Sequence, residues 1–202
     1  MSFCARAQPQ PSGRVSNSSH GNGQVDWMTL VRPIISISLL RAGPQMLPKS
    51  GLLLGLVMLI FAVISAIAYG MRYDLQVVSA AVVVELAMLS TFVAAVLTLY
   101  GRSERIVQTL TALVGCGAMI GLVMLPLQVL FIQAELNQQQ GAQHVLIVLL
   151  FLIWEVLIRG HIFRHALDRG LTFGLMLSIT YFWLALEIMK RLLVGLGAVE
   201  LT

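Results

Sequence analysis

Glu85 is the first residue whose type and position suggest chemistry, namely acid–base chemistry in an apolar environment. It is the one charged residue between Asp74 and Arg102, in a stretch that is otherwise strongly apolar. An ionisable side chain at the centre of a membrane helix costs at least about 2.5–3.5 kcal/mol to insert, so it is a functional hypothesis by default. We interpret Glu85 either as a proton- or ion-coupled carboxylate or as a protonated acid that is hydrogen-bonded within a helix bundle. In both cases it should face another helix or a wet cavity.

Glu155 and Arg159 form a second candidate for intramembrane coupling. They are one helical turn apart with the acid nearer the N-terminus, which is the favourable order for an ion pair on a helix. The spacing predicts that the two side chains neutralise each other. We interpret them first as a structural pair near the cytoplasmic interface.

His161 and His165 are also one helical turn apart, and Asp168 follows on the same face. That spacing can bind a divalent metal. A zincin motif, however, needs Glu directly after the first His, and Ile162 stands there. We therefore predict no metal site and interpret both histidines as facing lipid at the membrane interface.

The sequence contains no other pattern for catalysis or cofactor binding. It has no G-x-S-x-G nucleophile elbow, and Cys4 and Cys116 alone can form neither a disulfide framework nor a four-ligand zinc site. The net charge of +4 arises from cations that stand singly or in pairs, without the aromatic platform of a nucleic-acid site. No catalytic residue, cofactor or nucleic-acid partner is therefore predicted. Separately, Pro126 within the third apolar segment is a candidate helix kink.

Composition identifies the kind of element that must position these residues. Hydrophobic residues make up 58% of the 202 residues and charged residues 11%, with a mean hydropathy of +0.88. Soluble domains carry about 45–50% apolar and about 25% charged residues. So few charges could not cover the surface of a soluble fold. The chain is predicted to be an all-α integral membrane protein.

Five apolar segments are long enough to cross a bilayer, which takes about 20 residues per helix. They predict a five-helix transmembrane bundle over 51–200, with spans at about 51–71, 76–100, 108–132, 143–165 and 171–189. The fourth segment has the shortest uninterrupted apolar run, so a re-entrant hairpin competes with a full crossing. We favour the crossing, because Glu155 and Arg159 can then pair within one helix.

Residues 1–50 differ from the rest of the chain. Residues 1–27 are rich in Ser, Gly, Gln and Asn without apolar periodicity, which predicts a disordered tail, and Met28 is predicted to be the physiological start. Residues 28–50 suit either a short interfacial helix at the membrane surface or an ordered linker.

Basic residues are unevenly distributed between alternate loops. One set of loops holds Arg32, Arg41, Lys49, Arg102, Arg105, Arg159, Arg164 and Arg169, and the other holds Arg72, Lys190 and Arg191. Positively charged loops stay in the cytoplasm. The N-terminus is therefore predicted to be cytoplasmic and the C-terminus outside. Lys190 and Arg191 oppose this orientation unless Arg191 pairs with Glu187.

Small residues predict where helices pack closely. A stripe of small side chains follows one face of the second span, roughly opposite Glu85: Ala87, Thr91, Ala95 and Thr98. G-x-x-x-G pairs stand at Gly51/Gly55 and Gly117/Gly121. We expect each set to contact a neighbouring helix.

The pattern resembles the Yip family, which is named for proteins that interact with Ypt/Rab GTPases. RIVQTLTALVGCGAMIGLVMLPLQVL (105–130) looks like the third span of that family, and LIWEVLIRGHIFRHALDRGLTFGLMLSITYF (152–182) is similar to its fourth span, His-bearing loop and final span. RAGPQMLPKS (41–50) resembles bacterial inner-membrane members, which implies a bacterial inner membrane as the location of this chain. The resemblance covers about 50–195 and implies membrane organisation or protein partnering, with no catalytic residue to carry over. The acidic, tyrosine-bearing N-terminal motifs of eukaryotic members are absent from 1–50, which argues against a GTPase partner.

Three functions follow from these patterns. The favoured one is a non-enzymatic, Yip-like polytopic protein that organises or assembles membrane partners or forms a homo-oligomer, in a process that the sequence leaves unassigned. The alternative is a small ion- or proton-coupled transporter or channel subunit that uses Glu85. An intramembrane lipid-modifying enzyme that uses His161 and His165 ranks third.

Overall fold

The computed structural model describes residues 50–137 and 141–198, and every regular element within them is helical. The five long helices are α1 (Gly51–Gly70), α2 (Leu75–Leu99), α3 (Ile106–Leu136), α4 (Ala142–Leu167) and α5 (Leu171–Gly195), with one 3-10 turn (Ser103–Arg105) before α3. All five are long and apolar enough to cross a membrane. The all-α class and the five helices are thereby confirmed. The predicted tail over 1–27 and nearly all of the segment 28–50 lie outside the described residues.

Short polar connections end the helices and reverse the chain. The side chains of Ser50 and Asp74 accept hydrogen bonds from the backbone N–H groups of Leu53 (3.3 Å) and Val77 (3.1 Å) at the starts of α1 and α2, which satisfies donors that a helix start leaves free. Behind α2, Gly101 adopts a φ of +67°, the left-handed conformation in which many helices end. Consecutive helices therefore run antiparallel.

The fourth segment is one continuous helix. α4 has 26 residues, which corresponds to about 39 Å of helix and exceeds the roughly 30 Å of hydrocarbon that a span must cross. No hairpin interrupts it. The described part of the chain thus agrees with a full crossing and not with a re-entrant turn.

The outer surface of the bundle is apolar. Large aliphatic side chains are exposed on every helix, among them Leu59, Val83, Leu130, Leu146 and Ile179, each at least 45% exposed. A surface of this kind in water would exceed any apolar patch that soluble monomers tolerate. Lipid is the solvent that suits it.

The bundle packs more tightly at one end than at the other. We call the end that carries the α2–α3 and α4–α5 connections the closed end, and the end that carries the α1–α2 and α3–α4 connections the open end. All ten buried residues of α3 lie between Thr109 and Ile120, in the half nearest the closed end. Fully buried Ile162 and Phe163 lie near the same end of α4. Polar groups at the closed end are therefore sealed from the open end by close packing.

Two helix pairs make the most extensive contacts, α4 with α5 and α1 with α3. A Cβ added at Gly117 would lie 3.0 Å from Phe61 Cε2, and one at Gly121 would lie 3.0 Å from Ile64 Cγ2. The close approach predicted at Gly117/Gly121 is confirmed. At the other G-x-x-x-G pair, Gly51/Gly55, no described atom lies within 4 Å of an added Cβ.

The predicted packing stripe of α2 is exposed. Its members Ala87, Thr91, Ala95 and Thr98 all face outward, so the expectation that they pack within the bundle is wrong for the described chain. The opposite side of α2 is buried instead, through larger side chains such as Leu89, Val93 and Leu97. These aliphatic side chains bury more apolar area than alanine and threonine would.

An ion-pair network joins two loops at the closed end. The guanidinium groups of Arg102 and Arg105 lie 3.0 and 2.9 Å from Asp168 Oδ2. Arg105 also donates hydrogen bonds of 3.2 Å to the carbonyls of His165 and Ala166. It thus satisfies acceptors that the end of α4 leaves free and places a positive charge at the negative end of the helix dipole.

Asp168→Asn is expected to lower the thermal midpoint at neutral pH, and the difference from wild type should shrink in acid. The hydrogen bond from Arg105, together with the charges of Arg105 and Arg102, holds the pKa of Asp168 below its usual value. A carboxyl whose pKa is lower in the folded state stabilises the fold above its unfolded pKa of about 3.9, and that stabilisation disappears as pH falls through the folded pKa. Thermal melts in detergent between pH 7 and pH 3 measure this convergence.

The matched control for this experiment is Asp74→Asn. Asn caps a helix about as well as Asp, so this variant removes a loop carboxylate while the cap of α2 remains. We expect little change at any pH. A difference between Asp168→Asn and wild type that stays constant down to pH 3 would contradict the ion-pair explanation.

Candidate functional site

Polar side chains from all five helices meet near the middle of the bundle. They surround two cavities that share Tyr69, Glu85 and Glu155 in their walls. We call the set the Glu85 cluster; its members are Ser65 and Tyr69 of α1, Glu85 of α2, Gln128 of α3, Glu155 and Arg159 of α4, and Tyr181 of α5. Ionisable groups at this depth are rare in membrane helices and mark functional sites by default.

Glu85 occupies the centre of this cluster. It lies ten residues into α2, about 15 Å from the start of the helix, and therefore about halfway across a bilayer core. The hydroxyls of Ser65 and Tyr69 interact with its carboxyl group. Its second oxygen, Oε2, is buried and has no hydrogen-bond partner among the described residues. The prediction that Glu85 faces a neighbouring helix or a cavity is confirmed.

Arg159 pairs with Glu155 as the spacing predicts. Its Nη2 lies 2.6 Å from Glu155 Oε1, and the two side chains are 14% and 28% exposed. The guanidinium also lies over the ring of Tyr181, 4.9 Å from the centroid, where the ring face attracts a cation. The pair therefore belongs to the wall between α4 and α5.

The depth of this pair differs from the prediction. Glu155 precedes the end of α4 by twelve residues, or about 18 Å, so the pair lies inside the bundle and not near an interface. Arg159 is consequently not a loop charge, and it drops out of the orientation argument. The physical reason is that α4 continues to Leu167, eight residues past Arg159.

The larger cavity connects the cluster to the open end. Its volume is about 330 Å³, and it extends from Glu85 and Gln128 to Arg72 and Tyr73 in the α1–α2 connection. Gln128 contributes a second buried acceptor, Oε1, without a partner among the described residues. The cavity thus offers a route from one end of the bundle to a buried carboxyl group.

The second cavity, of about 210 Å³, lies between α2, α4 and α5. Tyr181 lines it, and beyond Tyr181 the rings of Phe92 and Phe163 are stacked edge to face, with centroids 5.3 Å (Phe92–Tyr181) and 5.9 Å (Phe92–Phe163) apart. Phe163 is fully buried and Tyr181 is 2% exposed. We call these three rings the aromatic plug. It separates the cluster from the closed end.

An ion pair lies at the mouth of the larger cavity. Arg72 Nη2 is 2.9 Å from Glu135 Oε2, and both side chains are 49% exposed. Exposed pairs of this kind contribute only about 0–1 kcal/mol to stability. The effect of this pair on the cavity is electrostatic, because Glu135 neutralises the positive charge of Arg72 at the mouth.

The two histidines lie apart from the Glu85 cluster. His161 is 8% exposed, and its ring centroid lies 4.5 Å from that of His165; neither histidine lines the two cavities. The prediction that both face lipid is wrong for His161, because α4 buries this face next to Ile162. Asp168 is engaged by arginines, and no set of three metal-ligating side chains occurs among the residues that the structure describes.

Pro126 lies within α3, which continues as a helix on both sides of it. Proline has no backbone N–H, so the carbonyl of Leu122 loses its usual intrahelical donor. Pro126 is exposed, whereas Gln128 two residues later lines the larger cavity. Whether Pro126 acts as a kink or hinge stays a prediction.

Sequence reasoning missed the uncharged members of the cluster. Ser65, Tyr69, Gln128 and Tyr181 are polar residues within apolar segments, and that was the available signal. Because serine and tyrosine occur often in membrane helices without a special role, composition alone could not connect them with Glu85. Their convergence depends on how the helices are rotated against each other.

No family model, curated protein or solved structure matches this chain. The chemistry of the cluster itself therefore carries the functional argument.

Proposed function

We propose that this chain is a small multi-pass transporter or channel subunit in which Glu85 binds and releases a proton or a small cation. The observation that carries the proposal is a buried carboxyl group at mid-depth whose cavity reaches the open end of the bundle. Ionisable residues in this position commonly form proton and ion pathways. The aromatic plug separates the cluster from the other end, so the larger cavity gives access from the open end.

The charges of the cluster favour a positively charged occupant. Arg159 is paired with Glu155 at 2.6 Å, so an ionised Glu85 leaves one negative charge uncompensated. In a medium of low dielectric constant, such a charge strongly favours a bound proton or cation. The hydroxyls of Ser65 and Tyr69, which interact with the carboxyl group, can both donate and accept a hydrogen bond as the occupant changes.

Loop charges support a cytoplasmic closed end, and the resemblance of residues 41–50 to bacterial members supports an inner membrane as the location. The closed-end connections and the last turn of α4 hold Arg102, Arg105, Arg164 and Arg169. The open end holds Lys190 together with Arg72 and Arg191, which are paired with Glu135 and Glu187. Positive loops stay in the cytoplasm. The N-terminus is then cytoplasmic, and the larger cavity opens to the outside. Protease protection of tags at the two ends tests this, because tags accessible from the same compartment would exclude an odd number of spans.

Glu85→Gln is expected to reduce proton or cation flux by about tenfold or more. A neutral amide cannot bind and release a proton or attract a cation by its charge, and the interaction that is lost is worth at least about 1.4 kcal/mol, which corresponds to a factor of ten. The substitution keeps the size of the side chain. Flux is measured in proteoliposomes that contain a pH-sensitive dye, with an imposed membrane potential and with external pH varied.

The control for this measurement is Glu187→Gln, which removes an exposed carboxylate paired with Arg191. This variant should transport like wild type. If Glu85→Gln retained both the rate and the pH dependence of wild type, the proposed function would be wrong.

The exposed stripe on α2 favours a second candidate function, that of a non-enzymatic, Yip-like organiser of membrane proteins. Ala87, Thr91 and Ala95 border an apolar groove together with Leu184 and Ile188 of α5. Small residues permit close contact between membrane helices, so the groove suits a helix of a partner protein or of a second copy. Crosslinking from Thr91→Cys in native membranes tests this candidate; an absence of crosslinked species alongside normal flux would favour transport.

A further inference from the structure

Two buried hydrogen-bond acceptors belong to the wall of the larger cavity. Glu85 Oε2 and Gln128 Oε1 both lack a partner among the described residues, and both residues line the cavity of about 330 Å³. Leaving a buried acceptor without a donor is unfavourable, because its lost hydration is not replaced. An occupant that donates hydrogen bonds would satisfy both oxygens.

The charged groups around the cavity exclude an anion and favour a cation. The two arginines nearest to it are already paired, Arg72 with Glu135 and Arg159 with Glu155. Glu85 thus supplies the remaining charge, which is negative. An anionic occupant would be repelled by Glu85 without gaining a free guanidinium.

The remaining wall distinguishes an organic cation from a metal ion. Between the polar groups, the cavity is lined by apolar and aromatic side chains that include Phe61, Ile64, Ile120 and Met124. Hard metal ions are held by a shell of about six or more oxygen ligands, whereas half of the residues that line this cavity have no polar side chain. The volume of the cavity instead falls at the lower end of the range for small-molecule pockets, about 300–1,000 Å³.

We propose that the larger cavity binds a small primary ammonium ion with an apolar body. The ammonium group, which carries three N–H donors, lies between Glu85 and Gln128, and the apolar body packs against Phe61 and Met124. Tyr69 also lines this cavity, and the face of an aromatic ring attracts a cation. This inference rests on the proposed function and deepens it by naming the class of the transported cation.

Calorimetric titration of the purified full chain in detergent tests the proposal with n-butylammonium chloride as the probe. Wild type should bind it. Glu85→Gln should weaken binding by about tenfold or more, since a hydrogen bond to a charged group is lost. Gln128→Leu should weaken it severalfold, and Glu187→Gln should leave it unchanged.

Two further probes separate the parts of the argument. Tetramethylammonium chloride has the charge but no N–H donor, and sodium chloride has the charge but no apolar body. If either bound as tightly as n-butylammonium, or if wild type and Glu85→Gln bound n-butylammonium equally, the proposal would be overturned.

Measurements of binding and of flux distinguish failure of this inference from failure of the proposed function. Proton flux that depends on Glu85, without any binding of n-butylammonium, would overturn this inference and leave the proposed function standing. Binding that depends on Glu85, without flux of any cation, would overturn transport while supporting the ammonium site.

Discussion

Arg159→Met is expected to lower the free energy of unfolding by about 3 kcal/mol, near the lower end of the range for breaking a buried ion pair. Methionine keeps much of the length and volume of the side chain but has no charge. Glu155 and Glu85 would then be two carboxyl groups in one cluster without the guanidinium that lies 2.6 Å from Glu155. The lower end of the range applies because Glu155 is 28% exposed. Unfolding by denaturant in mixed micelles measures the difference.

Arg191→Met is a closely matched control. Arg191 pairs with Glu187 at the same i,i+4 spacing, with Nε 2.9 Å from Oε1, but the two side chains are 78% and 40% exposed. Loss of an exposed pair should cost only about 0–1 kcal/mol. Equal destabilisation by Arg159→Met and Arg191→Met would show that burial of the first pair is unimportant.

A double variant separates loss of the pair from loss of packing. Glu155→Gln combined with Arg159→Met removes both charges, so no carboxylate at position 155 is left unpaired. We expect it to be more stable than Arg159→Met alone, because an unpaired buried charge is the main cost of breaking such a pair. If the double variant were the less stable of the two, the contact of Arg159 with Tyr181 would dominate.

Gly174→Ala is expected to destabilise the bundle by about 1–3 kcal/mol, as overpacking does at close contacts, and larger side chains should prevent α4 and α5 from packing together. A Cβ added at Gly174 would overlap the carbonyl oxygen of Gly160 and lie 2.9 Å from the backbone nitrogen of Arg164. Both neighbours are backbone atoms, which cannot rotate away. Beside this contact, Ser178 Oγ donates a 2.9 Å hydrogen bond to the carbonyl of Val156.

This glycine contact also affects the Glu85 cluster. It holds α5 against α4, which sets Tyr181 under the guanidinium of Arg159. Gly174→Ala should therefore reduce flux as well as stability. The flux is measured in proteoliposomes, as for the Glu85 variants.

Gly55→Ala provides the control for this prediction. Gly55 also lies within a helix, but no described atom lies within 4 Å of an added Cβ. Alanine is the better helix former by about 1 kcal/mol, so stability should be unchanged or slightly higher. If Gly174→Ala were as stable as Gly55→Ala, α4 and α5 would be able to move apart at this point without loss of stability, and the prediction would be wrong.

Local spacing was sufficient to predict several features of the fold and the site. The pairs Glu155–Arg159 and Glu187–Arg191 follow from the 3.6-residue period of one helix, and both are present. The five helices follow from runs of apolar residues, and all are found among the described residues. Each of these features depends on residues that are near each other in the chain.

Features that depend on helix rotation were predicted less well. The small-residue stripe of α2 around Thr91 faces outward, and His161 is buried although it was expected to face lipid. In lipid, apolar side chains are equally well solvated inside and outside the bundle, so hydrophobic periodicity gives only a weak indication of which face is buried. Packing of side-chain shapes decides it instead.

The amino-acid sequence alone determined that this chain forms apolar helices and that an acid stands within the second of them, because both follow from residue type and local period. Only the tertiary structure decided that Glu85 meets Gln128 and the Glu155–Arg159 pair around two cavities, the larger of which reaches the open end. Those residues come from different helices, and their meeting depends on the depth and rotation of each helix against its neighbours. Close contacts between helices, such as that between Gly160 and Gly174, set both.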